Sequence, residues 1–126
     1  MGAAAVTVLS GATPAAAEDG FSFSFVQLGD GKSGAINVQN TTWGKFAGDA
    51  TWWADGDSLA ADDELPDGYG IEAHLSTGRV ASTRGQSTPA HARATGNLPE
   101  GHHYSMWVCV VKGDFSKCSG KYDVTA

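Results

Sequence analysis

The clearest pattern of apolar and polar positions lies near the end of the chain. Tyr104-Ser105-Met106-Trp107-Val108-Cys109-Val110-Val111-Lys112 is rich in aromatic and β-branched residues, the composition of a strand. Gly113-Asp114 follows, then Phe115-Ser116-Lys117-Cys118. If Gly113 and Asp114 are the central residues of a hairpin, glycine supplies the positive φ that a type II′ turn needs first. Position 112 then pairs with 115, 111 with 116, 110 with 117, and Cys109 with Cys118. Residues opposite each other at a non-hydrogen-bonded pair have Cα atoms about 4.5 Å apart, near the lower limit for a disulfide. A Cys109–Cys118 bridge is therefore predicted. The same count puts Trp107, Cys109, Val111, Cys118, Tyr122 and Val124 on one face, the expected core, and Tyr104, Met106, Val108 and Val110 on the other. A strand apolar on both faces beside a half-polar one reads as an interior strand next to an edge strand.

Upstream, Phe21-Ser22-Phe23-Ser24-Phe25 alternates at period two, as does Ala35-Ile36-Asn37-Val38-Gln39. The turn-rich Gly29–Gly34 stretch between them makes a hairpin of the two. Thr51-Trp52-Trp53 marks a third strand, in which one tryptophan must face the core and the other outward. Tyr69 to Leu75 predicts Tyr69, Ile71, Ala73 and Leu75 inward, with Glu72 and His74 outward. Arg79–Arg84 and Ala90–Thr95 are weaker strands. Seven or eight short strands at this spacing predict an all-β fold, a small antiparallel β-sandwich (immunoglobulin-like or similar) with one disulfide-bridged hairpin. A barrel is the second choice.

Composition narrows the class. Met1–Ala17 is uncharged and small-apolar, and ends in Ala15-Ala16-Ala17 before Glu18-Asp19. It reads as the tail of a secretory signal with its Ala-x-Ala cleavage site, leaving 18–126 as a single secreted domain. A signal and an even cysteine count place the protein in an oxidising, extracellular compartment. No other stretch is apolar for the roughly 20 residues of a membrane span. The 8 Lys+Arg against 14 Asp+Glu, net −6, argue against a nucleic-acid partner. The 17 glycines argue against a helical bundle, while 4 Trp, 5 Phe and 3 Tyr suffice for a core.

Eight of the acids lie between Asp49 and Glu72, with no base among them. Asp55-Gly56-Asp57 and Asp62-Asp63-Glu64 offer oxygen ligands, but the spacing is not that of an EF-hand. The segment reads as a solvated acidic loop facing a basic partner, and no metal or cofactor is expected. Gly31-Lys32-Ser33 is not a phosphate loop, because Val26 stands where that motif needs glycine. The four histidines lack zinc-site spacing. Asn40-Thr41-Thr42 matches the N-glycosylation sequon. The best binding candidates are the outward member of Trp52 and Trp53, the acids Asp62, Asp63 and Glu64, and the Phe21, Phe23, Phe25 strand. An outward tryptophan serves protein interfaces and sugar platforms alike, so a carbohydrate ligand stays open.

The stretches Asp67–Leu75, Gly78–Gly85 and Ala94–Gly101, with the ending Val108–Gly113 through Cys118-Ser119-Gly120, resemble a group of small secreted actinobacterial β-sandwich proteins. The chain is similar, over its last 60–70 residues, to the adaptor subunit of umbrella toxin particles. That resemblance implies a secreted, non-enzymatic protein-binding module that links larger secreted proteins in an antibacterial toxin complex. A carbohydrate-binding module and an inhibitor of an extracellular hydrolase are the alternatives.

Overall fold

The computed structural model describes residues 17–126, so the signal-like segment expected over 1–17 lies outside them apart from Ala17. The described residues form β1 (Phe21–Gln27), β2 (Gly34–Asn40), β3 (Lys45–Trp53), β4 (Ser58–Asp63), β5 (Gly70–Leu75), β6 (Val80–Ser82), β7 (Ala90–Thr95), β8 (His103–Lys112), β9 (Phe115–Cys118) and β10 (Tyr122–Thr125). One sheet has the order β1-β2-β3-β4-β7; the other runs β10-β8-β5-β6, with β9 also paired to β8. All pairings are antiparallel. The sandwich and its disulfide-bridged hairpin are as expected.

Period-two alternation builds the core. Phe21 of β1, Ile36 and Val38 of β2, Trp52 of β3 and Leu59 of β4 pack in one cluster with Ile71 and Leu75 of β5 and Met106, Val108 and Val110 of β8. Burying a large apolar side chain contributes about 1.5–3 kcal/mol, which makes this inter-sheet layer the main source of stability. Trp52 is fully buried, and its indole N–H donates to the Thr125 carbonyl at 3.0 Å.

The face assignment of β8 is corrected. Met106, Val108 and Val110 point into the core, whereas Cys109 and Val111 are buried on the outer face, outside that cluster. Both faces of β8 are apolar, so its own pattern cannot choose between them. Its partner does: Ile71 pairs with Val110, Ala73 with Val108 and Leu75 with Met106, and directly opposed residues share a face. The hairpin register itself is as expected, from Lys112 opposite Phe115 to Cys109 opposite Cys118. It slips by one residue before β10, where Tyr122 pairs with Met106. At the slip, Ser119 donates its amide to the Val108 carbonyl at 2.8 Å, and its hydroxyl accepts from the Val108 amide at 3.1 Å. A one-residue shift reverses every later side chain, and this one turns Tyr122 and Val124 from the Cys109 face to the opposite face, toward the core.

The acidic loop is also corrected. Ser58–Asp63 is β4, an interior strand between β3 and β7. Its Leu59 and Ala61 alternate inward, but alanine and aspartate carry little strand propensity, and the flanking acids hide the pattern. Gly48 opposite Asp63 permits the approach, because a Cβ there would collide with the Asp62 carbonyl.

Candidate functional site

Strand register lays out the outer face of the first sheet in rows. One row runs Val26, Ala35, Thr51, Ala60, Arg93, and the next Ser24, Asn37, Asp49, Asp62, His91. Most of these side chains are small, so the face is shallow. Trp53 stands at one end of β3 beside Ser58, and Phe46 stands near the other end opposite Gln39. Val26, Trp43, Phe46 and Trp53 are 40–47% exposed. These four of the five exposed large hydrophobics among the described residues lie on this sheet or in the β2–β3 turn, and the fifth, Val80, is on β6. The outward tryptophan is therefore Trp53.

Two carboxylates sit in the middle of this face. Asp49 and Asp62 are cross-strand partners, and Asp62 contacts the His91 ring from β7. Burial is the first cause pushing the Asp49 carboxyl up to about 6; its hydrogen bond to Asp62 and the charges of Asp62 and Glu64 add to it, while His91 opposes.

The three acids proposed as one patch are separated by the strand. Asp62 faces outward, Glu64 is exposed at the end of β4, and Asp63 is turned inward and 2% exposed. Asp63 lines a cleft of about 370 Å³ between the end of β4, the start of β5 and the β6–β7 connection. Its carboxyl is pushed up to about 6, first by burial and then by the charges of Asp67 and Glu64, with the Leu65 amide opposing. Asp57 is buried and accepts from the Leu98 amide at 2.8 Å, while Asp55 is exposed in the β3–β4 turn. Among the described residues, no group of three or more His, Cys, Asp and Glu side chains is arranged to hold a metal ion.

The phenylalanine stripe faces the second sheet. Phe21 meets Tyr69 edge-on with ring centroids 4.9 Å apart, Phe25 stacks on Tyr122 at 4.5 Å, and Phe23 is half-buried against the core. Nearby, Tyr69 donates its hydroxyl to Glu18, and Asn40 donates to both Asp19 and Asp67 at 2.9 Å. Asn40 is fully buried, so the sequon nitrogen is closed to modification in the folded chain. On the outer face of the second sheet, Trp107 lies between His74, stacked at 5.3 Å, and the Lys121 ammonium at 4.6 Å. The Cys109–Cys118 bridge is on that same face, with Cα atoms 4.0 Å apart.

The Asp49–Asp62–His91 row and the Asp63 cleft were not expected. Both depend on β4 being a strand; once its register is known, counting across from β3 and β7 finds them. Comparison with family models, curated proteins and solved structures finds no match to the chain.

Proposed function

We propose that the chain is a secreted, non-enzymatic protein-binding module that docks through the outer face of the β1-β2-β3-β4-β7 sheet. An adaptor joining larger secreted proteins, as the sequence resemblance implies, is the form this role takes. The carrying observation is the concentration of exposed large hydrophobics around that sheet, with Trp53 as anchor. Aromatic side chains at such positions supply most of the free energy of protein interfaces, and the acids beside them set the preferred partner. Asp49 and Asp62 on the face, and the net charge of −6, favour a partner with an apolar patch inside a basic rim.

The test is capture from culture supernatant of the producing host, using the tagged full chain and its Trp53→Ala variant in parallel. A stoichiometric set of secreted proteins, retained by the wild type and lost by the variant, supports the reading. Retention on insoluble polysaccharide, with Trp53 required, assigns the face to carbohydrate instead. Equal capture by both chains removes this face from consideration.

A further inference from the structure

We propose that the cleft floored by Asp63 is a binding site for a lysine side chain of a protein partner, separate from the Trp53 face. The cleft has a buried floor and an exposed rim: Asp63 and Thr83 are 2% and 0% exposed, whereas Pro66, Gly68, Gly85, Gln86 and Ser87 are open to solvent. A ligand reaching the carboxyl must therefore be long and narrow.

Charge selects its end group. The cleft lining contains no Lys, Arg or His. The neighbouring acids are Asp67 and Glu64 from the same β4–β5 connection. Of the nearby cations, Lys112 of β8 stands at the rim, its ammonium beside Gly68 and over the Tyr69 ring at 4.9 Å, without an ion pair to Asp63, and Arg84 binds Glu72 and the Gly113 carbonyl. Among the described residues Asp63 has no ion pair. A buried carboxyl without a cation destabilises the fold, and in a cleft it marks a binding site. A lysine ammonium restores the missing charge; its three N–H donors also suit the hydroxyls of Ser87 and Thr88, and its stem suits the Pro66 and Tyr69 walls.

The experiment is an amide-resolved NMR titration of the full chain with N-acetyl-lysine methylamide. The norleucine analogue, glycinamide and methyl glucoside serve as comparison probes. Saturable shifts confined to residues 66–70 and 83–88 are expected with the lysine derivative, and none of comparable size with the other three. Affinity should rise about tenfold from pH 5 to pH 7, following ionisation of a group titrating near 6. Asp63→Asn should abolish the shifts, while Asp67→Asn, at the margin, should weaken them severalfold. Equal shifts from norleucine, a response to glucoside in place of lysine, or binding that is indifferent to pH would each overturn the assignment. Trp53→Ala should leave this titration unchanged, so failure here is distinct from failure of the sheet-face reading.

Discussion

Asp49 of β3 and Asp62 of β4 face each other across adjacent strands on an outward-facing surface, with the His91 ring beside Asp62 on β7. Like charges directly opposed in a sheet are destabilising, and burial together with the facing Asp62 holds the Asp49 carboxyl above the usual carboxylate range. With Asp49 raised to about 6, the folded chain keeps a proton between pH 4 and 6 that the unfolded chain has lost. Unfolding free energy should therefore fall as pH rises through that window and level above it. After allowance for half-exposure, the loss is about 1 kcal/mol. Urea titrations from pH 4 to 8 measure it, and Asp49→Asn should lessen the slope of the profile and be the more stable chain at pH 7.5. Parallel profiles for the two chains would mean that the Asp49 carboxyl is not raised in the fold.

Asp63 should shift the same profile independently, because its carboxyl is also raised to about 6 and lies on the opposite face of β4. Asp63→Asn removes a buried group that ionises at a cost, so it should gain about 1 kcal/mol at pH 7.5 and little at pH 4. Adding Asp49→Asn should give nearly the sum of the two gains if the sites are independent. Greater stability of the wild type at pH 7.5 would show that Asp63 is ionised and partnered in the fold.

Cys109 and Cys118 lie nine positions apart across the β8–β9 hairpin. Chain-entropy reasoning for so short a loop assigns the bridge roughly 2–3 kcal/mol. The Cys109→Ser/Cys118→Ser pair should lose that amount by urea unfolding, while β8 stays held by β5 on its other edge. An unchanged midpoint would mean that the Gly113-Asp114 turn alone constrains the hairpin.

The elements that were legible in the sequence share one property: a single apolar face. Phe21 to Phe25, Ile36 to Val38 and Ile71 to Leu75 alternate with polar partners, so period two reveals strand, face and hairpin together. β8 is apolar on both sides, so its turn reveals the register but not the buried face. β4 was invisible because Ala60, Ala61, Asp62 and Asp63 are poor strand formers that become a strand through pairing with β3 and β7. The carboxylate pair and the cleft inherit that obscurity. Trp53 did not: adjacency to Trp52 in a strand already required one outward tryptophan.

Trp52 and Trp53, adjacent on β3, should separate folding from binding. Trp52 is fully buried, donates to the Thr125 carbonyl and carries Arg79 over its ring at 5.9 Å. Trp52→Ala should cost about 3–5 kcal/mol of stability. Trp53 is 45% exposed, and Trp53→Ala should change stability by no more than about 0.5 kcal/mol. Its effect belongs to the complex: loss of a tryptophan anchor worth about 2 kcal/mol raises Kd roughly thirtyfold, mostly through faster dissociation. Electrostatics should contribute less than three clustered acids would suggest. Asp63 is turned away from this surface, and the Asp49 carboxyl is raised to about 6. Asp62→Asn should therefore slow association by less than tenfold and reduce its salt dependence, with dissociation nearly unchanged. Surface-immobilised kinetics with the captured partner measure both constants, and calorimetry of the free variants measures stability. A Trp53→Ala chain that folds and binds as the wild type does would move the interface off this sheet.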